Sequence, residues 1–244
     1  MNGGRMGKQF NVKVGGEYAC FTDPNLKVER VSYPVMTPSA ARGILEAIFW
    51  KPAFRWEIRS ITVLKPIKTL SLMRNEIKDR QQNKPIVIEE AKQRQQRVSL
   101  VLKSVEYIIT AEMKLVWKNK DLRGYIAQFE RRLNRGAYQH TPYLGTREFA
   151  AWFEPATGDE QPETVIENQY LGVMFFDTAY VKSDNRCDMR FLRHSEPVEQ
   201  ERKPPIEAGG YPHYLFFKAS IENNSIIVPA EKYQELYQLE GINV

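Results

Sequence analysis

The chain has 244 residues, of which 42% are hydrophobic and 11% aromatic, as in globular rather than disordered proteins. It contains no apolar run long enough to cross a membrane, and its first residues, MNGGRMGKQF, lack the apolar core of a secretion signal. We therefore expect a cytoplasmic protein without a membrane partner. Cys20 and Cys187 are far apart in sequence, which argues against a disulfide framework and favours two buried thiols.

The net charge of +5 is unevenly distributed along the chain. Residues 1–150 contain 27 Lys and Arg against 14 Asp and Glu, whereas residues 151–244 contain 8 against 16. A basic surface favours a polyanionic partner, because neutralising phosphates releases condensed counterions. The alternative is that the basic part pairs with the chain's own acidic part or with a neighbouring subunit.

The first elements in chain order are a strand, a helix and a strand. Apolar and polar residues partly alternate at 9–21, which predicts a strand. Thr37 and Pro38 have the character of a helix cap and a first helical residue, and the helix is expected to end at Lys51. Alternation at 54–64 predicts the second strand.

The next elements are a strand, a helix and a strand. Residues 66–97 are polar and predict a long insertion or an extended hairpin before a strand at 98–117. Apolar spacing at 122–135 predicts a second helix with Gly136 as its C-terminal cap, and 142–154 predicts another strand. The order β-α-β-β-α-β is that of the ferredoxin-like fold, which also underlies the RNA-recognition motif, although the RNP1 consensus is absent.

The C-terminal third predicts a smaller, antiparallel β-rich region after a polar, acidic linker. Strand-like segments lie at 171–181 and 215–229, with a hairpin turn at Asn223 and Asn224 in the second. An acidic, proline-containing loop is expected at about 194–212.

The predicted fold class is therefore α+β: a ferredoxin-like domain with a long insertion, followed by a smaller β-rich region. We expect an RNA-binding domain at 1–154 and an acidic C-terminal region at 155–244. The three histidines show no metal-binding spacing, and no phosphate-binding loop of the Walker type is present. We therefore expect neither a metal nor a cofactor.

The arginines are the main candidates for binding nucleic acid. Arg131, Arg132 and Arg135 end the second helix, where they can clamp phosphates or simply complement the helix dipole. The expected phosphate contacts are Arg30, Arg42, Lys51, Arg74, Arg94, Arg97, Arg131, Arg132, Arg135 and Arg147.

Aromatic side chains can stack on unpaired bases. Of the candidates for this role, Tyr33 and Tyr138 are expected to stack. Trp50, Trp56 and Tyr143 are instead expected to belong to the core.

Several segments occur in a characteristic order along the chain, namely GEYACFTDP (16–24), KVERVSY (27–33), PSAARGILEAIFWKPAFRW (38–56), LKPI (64–67), MRNEI (73–77), RQQR (94–97) and YLGTREF (143–149). Together they resemble the CRISPR-associated Cas family 5 protein of type I-C systems. The resemblance implies a ferredoxin-like domain followed by a β-rich region. It also implies a subunit of the Cascade surveillance complex that binds the 5′ handle of the CRISPR RNA. Its implied neighbours are the backbone-forming and large subunits and target DNA near its adjacent motif.

In type I-C systems this family also cuts precursor CRISPR RNA without a metal. The family's catalytic aromatic position, often tyrosine, is Phe49 in this chain, and its Lys-His pair falls on Gly124 and Tyr125. The remaining candidates for the chemistry are His140, Tyr125 and Arg123, although Arg123 is a poor proton carrier.

Three hypotheses remain open. In the first, the protein is an endoribonuclease with a rearranged catalytic set. In the second, it is a non-catalytic subunit that holds the RNA while another protein processes it. In the third, it is an RNA-binding protein of this fold that is unrelated to CRISPR.

Overall fold

The computed structural model describes residues 8–26, 30–77, 94–117, 120–196 and 204–242. Within these ranges the helices are α1 (Pro38–Ile48), α2 (Leu122–Asn134) and α3 (Ala230–Glu240). The strands are β1 (Gln9–Ala19), β2 (Phe54–Val63), β3 (Thr69–Ile77), β4 (Arg94–Leu115), β5 (Trp152–Pro155), β6 (Asn168–Lys182), β7 (Met189–Arg193), β8 (Ile206–Glu222) and β9 (Ser225–Ile227).

The strands form one sheet in the order β5-β1-β4-β2-β9-β8-β6, with β3 paired to β4 and β7 paired to β8. In the described part of the chain, all of these strand pairs are antiparallel. The predicted α+β class is confirmed. The elements from β1 to β5 follow the predicted β-α-β-β-α-β order with β3 as an additional strand, and the ferredoxin-like assignment stays a prediction based on that order.

Helix α1 begins as its sequence predicts. Thr37 Oγ1 accepts a hydrogen bond from the Ala40 amide at 3.2 Å, and Pro38 is the first helical residue. The predicted apolar stripe is buried and consists of Ala41, Ile44, Leu45 and Ile48. The helix ends before Phe49, earlier than predicted, because Phe49 takes extended backbone angles (φ −156°, ψ 122°).

Strands β3 and β4 form an extended hairpin arm, with cross-strand pairs from Thr69–Leu102 to Ile77–Arg94. The hairpin alternative for residues 66–97 is confirmed where the structure describes them, and 78–93 lie outside the described residues. Strand β4 begins four residues before the predicted 98–117 strand because its first residues pair with β3.

The strand predicted at 142–154 is wrong for most of its length. Only β5 is a strand there, and residues 143–150 form a loop whose end residues make one isolated bridge. Gly145 explains the difference, since its φ is +84° and a Cβ on it would lie 2.0 Å from the Cys20 carbonyl oxygen. The backbone turns where the sequence pattern alone favours a straight strand.

In the C-terminal part, the turn predicted at Asn223 and Asn224 is confirmed, with φ values of 49° and 64°. The predicted loop at 194–212 is wrong from Ile206 onward, because β8 begins there and pairs with β7. Strand β7 and helix α3 were not predicted, and residues 197–203 lie outside the described residues.

The basic and acidic parts of the chain share the sheet, because β2 pairs with β9 from Ser60–Ile227 to Thr62–Ser225. The predicted boundary after residue 154 stays a prediction. Neither Cys20 nor Cys187 forms a disulfide, as predicted. Cys20 is buried, but Cys187 is exposed, so the expectation of two buried thiols is wrong for Cys187.

Candidate nucleic-acid interface

The C-terminal end of α1 meets the C-terminal end of α2 and the loop that follows it. The backbone amides of Gln139 and His140 donate to the Ala47 carbonyl at 2.8 and 3.2 Å. The Arg132 guanidinium donates from Nη1 to the Ile48 carbonyl at 2.7 Å. These bonds satisfy carbonyl groups that the end of a helix leaves without partners. His140 is therefore fixed beside α1, although it is far from that helix in sequence.

The position that the resemblance assigns to a catalytic aromatic residue lies in the core. Phe49 is fully buried, and its ring centroid lies 5.6 Å from Phe54 and 6.3 Å from Tyr125. The Arg132 guanidinium carbon lies 5.3 Å from the centre of the Phe49 ring. The family resemblance points to Phe49 and Tyr125 in separate segments of the sequence, and the two side chains are in contact in the structure.

Tyr125 is half-buried and also packs on Phe54, with ring centroids 5.6 Å apart. Its position in the predicted apolar stripe of α2 is confirmed by this packing. Arg123 is 90% exposed and donates from Nε to the Asp121 carboxylate. Gly124 is also exposed, and nothing lies within 4 Å of an added Cβ. A longer side chain at position 124 would therefore enter solvent beside Tyr125.

The end of α2 and the loop after it form an exposed basic and aromatic surface. Its members are Arg131, Arg135, Tyr138 and His140, which we call the α2-end surface. Arg147 is exposed in the adjoining loop. In the described part of the chain, no carboxylate forms an ion pair with any of these three arginines. Their charges are available to a phosphate chain.

A second group of predicted cations is already paired with carboxylates. Arg74 lies 2.8 Å and Arg30 3.4 Å from Glu148, while Arg97 lies 3.5 Å from Glu76. We call these five residues the β3 arginine cluster. Partial burial acts to raise the pKa of Glu148, but the charges of Arg74 and Arg30 lower that pKa below its ordinary value. The cluster carries three positive and two negative charges.

Arg42 is held by two carboxylates. Its Nε and Nη2 donate to the two oxygens of Asp177, each at 2.7 Å, and its Nη1 donates to Glu46 at 2.8 Å. The Asp177 side chain is only 4% exposed, so this bidentate pair joins α1 to β6 in a largely dry environment. Burial acts to lower the pKa of Arg42, but Asp177 and Glu46 raise it overall. A role for Arg42 in RNA binding stays a prediction.

The other predicted contacts differ in exposure. Tyr33 is half-buried and donates its hydroxyl to Asp23 at 2.9 Å, whereas Tyr138 is 52% exposed. Lys51 and Arg94 are exposed. The expectation that Trp56 is a core residue is confirmed, because it is buried. The same expectation is wrong for Tyr143, which is 40% exposed.

Sequence reasoning did not find a groove of about 680 Å³ beside the end of α1. Its aromatic lining comes from Trp50, Trp117, Tyr180, Phe191 and His194. The Trp50 and His194 rings lie 5.4 Å apart. These residues belong to distant segments of the chain, so no local pattern marked them. Trp50 was expected in the core, but it is only half-buried and lines this groove instead.

The described residues contain no group of three or more His, Cys, Asp or Glu side chains arranged to hold a metal ion. No helix among them is long and apolar enough to cross a bilayer.

The fold is shared with solved structures of other proteins. A solved structure of a CRISPR-associated protein superposes with a TM-score of 0.61 at 22% identity, covering 94% of this chain and 96% of the other. A functionally uncharacterized protein from Streptococcus mutans superposes with a TM-score of 0.60 at 19% identity, covering 93% of this chain and 94% of the other.

The chain belongs to the CRISPR-associated protein (Cas_Cas5) family, whose sequence profile matches residues 11–229. A CRISPR pre-crRNA endoribonuclease Cas5d from Thermus thermophilus is 52% identical, over 95% of this chain and 96% of the relative. The protein of the same name from Mannheimia succiniciproducens is 36% identical, over 92% of this chain and 96% of the relative. The resemblance inferred from the sequence is thereby confirmed.

Proposed function

We propose that this protein binds the 5′ handle of CRISPR RNA and cuts precursor CRISPR RNA as a metal-independent endoribonuclease within Cascade. The observation that carries the proposal is that the His140 amide bonds to Ala47 at the end of α1, two residues before Phe49, whose ring packs on Tyr125. Two relatives, at 52% and 36% identity, are named as pre-crRNA endoribonucleases, which supports RNA cleavage by this protein. A non-catalytic binding role is the alternative outcome of the test below.

The proposed reaction is an internal transfer within the RNA. The ribose O2′ attacks the adjacent phosphorus and loses its proton, the P–O5′ bond breaks, and O5′ gains a proton. The products carry a 2′,3′-cyclic phosphate and a 5′-hydroxyl. The site must therefore remove one proton, supply another and stabilise the extra negative charge on the phosphorane.

His140 is the proposed proton carrier, because histidine is the usual proton-transfer residue near neutral pH and this side chain is exposed on the α2-end surface. Arg131 and Arg132 supply positive charge near it. Arg132 is held by the Ile48 carbonyl and lies over the Phe49 ring, so its guanidinium has a fixed place at the site. Tyr125 offers a hydroxyl that has no hydrogen-bond partner among the described residues.

The test is cleavage of the organism's own repeat RNA by purified protein in EDTA. We expect a single cut that leaves a 2′,3′-cyclic phosphate, with at least a hundredfold loss of rate in His140→Ala, as is typical for loss of a general acid or base. His213→Ala is the matched control, because His213 is also exposed but lies on β8. Tight binding of an uncut repeat by the unmodified protein would support the non-catalytic alternative.

The proposal also includes assembly with the backbone-forming and large subunits, near the motif-bearing end of target DNA. The hairpin arm supports a protein contact, because Met73 and Val98 face each other across its strands and are 70% and 56% exposed. We expect Met73→Ser with Val98→Ser to keep RNA cleavage but to lose co-elution with the other subunits. The control is Val165→Ser, which changes a side chain that is 74% exposed outside the arm.

A further inference from the structure

A smaller cleft of about 210 Å³ lies against the N-terminal half of α1. We call it the α1 cleft. Its rings and hydroxyl groups come from Phe21, Tyr143, Phe175, Thr22, Thr37 and Ser39. Among the described residues no charged side chain lines it. The α1 cleft is therefore suited to a flat, uncharged group that can stack and form hydrogen bonds, rather than to a phosphate.

Gly43, in the middle of α1, lines this cleft. Glycine within a helix is less favourable than alanine, so it calls for a physical reason. Neither packing nor backbone angle supplies one, because nothing in the described structure lies within 4 Å of an added Cβ and the φ is not positive. A ligand that packs directly on the helix backbone would require glycine at this position.

The α1 cleft adjoins the proposed cleavage site. His140 is anchored to Ala47, which lies one helical turn, about 6 Å along the axis, from Gly43. Tyr143, three residues after His140, lines the cleft. An RNA strand that follows the exposed arginines past His140 would therefore bring a neighbouring nucleotide to the cleft. This continuity with a cationic surface favours an RNA base over a peptide as the occupant.

We propose that the α1 cleft is a nucleobase subsite, in which an unpaired base close to the cleaved phosphate lies on Gly43. The ring of Tyr143, which is 40% exposed, stacks on the base. The Ser39 hydroxyl, which has no partner among the described residues, bonds to the base edge. The inference rests on the proposed function, since it names where the same RNA is read.

The experiment measures binding of repeat RNA that carries one abasic nucleotide at a time and a 2′-deoxyribose at the cut position, which prevents cleavage. One abasic position near the cut should weaken binding to the unmodified protein by roughly tenfold, as expected for loss of one stacked base. Gly43→Leu should weaken binding of the intact RNA by a similar factor. It should also make binding insensitive to that abasic position. Gln234→Leu is the matched control, because it places leucine on an exposed site of α3.

Two further variants separate occupancy of the cleft from folding. Gly43→Ala should raise the melting temperature by about 2–4 °C, from its better helix propensity, while weakening RNA binding less than leucine does. Tyr143→Ala should reproduce the loss of base dependence, and Tyr143→Phe should restore it.

The outcomes distinguish this inference from the function on which it rests. If the unmodified protein binds and cuts the repeat but no base depends on Gly43, the subsite is wrong and the proposed function stands. If Gly43→Leu binds RNA normally but fails to assemble with other subunits, the occupant is a protein and the inference is overturned. If the unmodified protein does not bind the repeat, both fail.

Discussion

Two groups of arginines that the sequence analysis assigned to phosphate contacts have different surroundings in the structure. The arginines of the α2-end surface are exposed, and no described carboxylate pairs with them. In the β3 arginine cluster, Glu76 and Glu148 lie between Arg30, Arg74 and Arg97. A count of basic residues therefore overstates the positive charge that a polyanion can use. We therefore expect RNA to bind at the α2-end surface rather than at the β3 arginine cluster.

Arg42 represents a third arrangement, in which an arginine joins two elements of the fold. The largest effect we expect is from Asp177→Ala, which should lower the free energy of unfolding by about 3 kcal/mol, because it leaves the mostly buried Arg42 with only Glu46. Urea unfolding measures this loss. Asp184→Ala, at an exposed site in the loop after β6, is the control and should change stability little. Equal effects of the two variants would contradict the assignment of Arg42 to the fold.

The double variant Arg131→Ala with Arg135→Ala tests directly whether the α2-end surface binds phosphates. Loss of two phosphate contacts should weaken binding of repeat RNA about tenfold and reduce the slope of log affinity against log salt by about 1.4. A salt titration measures both quantities. The double variant Arg186→Ala with Arg190→Ala is the control, since it removes equal charge from the acidic third, where both arginines pair with carboxylates. An unchanged slope in the first variant would contradict the phosphate assignment.

A smaller effect is expected from removing the carboxylates of the β3 arginine cluster. Glu76→Gln with Glu148→Gln should increase RNA affinity by roughly threefold, because the cluster then has a net charge of three rather than one. The gain should disappear at high salt, since these charges are partly exposed and screened. Weaker binding in this variant would indicate that the carboxylates hold the arginines in the geometry that RNA needs.

The smallest expected effect is the pH-dependent contribution of Glu148 to the free energy of unfolding. Because the folded pKa of Glu148 lies below its ordinary value of 4.5, its ionised form contributes stability above that value. The contribution is lost as pH falls through the folded pKa. The side chain is 50% exposed, so solvent screening limits the contribution to a few tenths of a kcal/mol. Unmodified protein and Glu148→Gln should differ in unfolding free energy at pH 6, and the difference should disappear as pH falls through the folded pKa of Glu148.

Local patterns in the sequence predicted the features that depend on neighbouring residues. The Thr37 cap, the buried stripe of α1 and the Asn223-Asn224 turn each follow from a few adjacent side chains. Helix α3 was missed because Pro229 at its start supplies no side-chain cap. Its buried Tyr233, Leu236 and Tyr237, at i, i+3 and i+4, were a usable signal.

Local sequence patterns could not predict contacts between distant segments of the chain. Arg42 and Asp177 are 135 residues apart, and Arg74 and Glu148 are 74 apart. No spacing rule identifies which arginine will find a carboxylate in the folded chain. His140 was selected for its chemistry, but its attachment to Ala47 of α1 depends on how the two helices pack. The family resemblance supplied the Phe49 and Tyr125 positions, and their contact became visible only in three dimensions.

The most direct test of the central claim is ultraviolet cross-linking of the bound, uncleavable repeat RNA, followed by mass spectrometry of the linked peptides. We predict that cross-links concentrate on residues 131–147, with Tyr138 and Tyr143 as the main aromatic sites. Cross-links concentrated instead around Arg30, Arg74 and Arg97 would contradict the claim that RNA follows the α2-end surface.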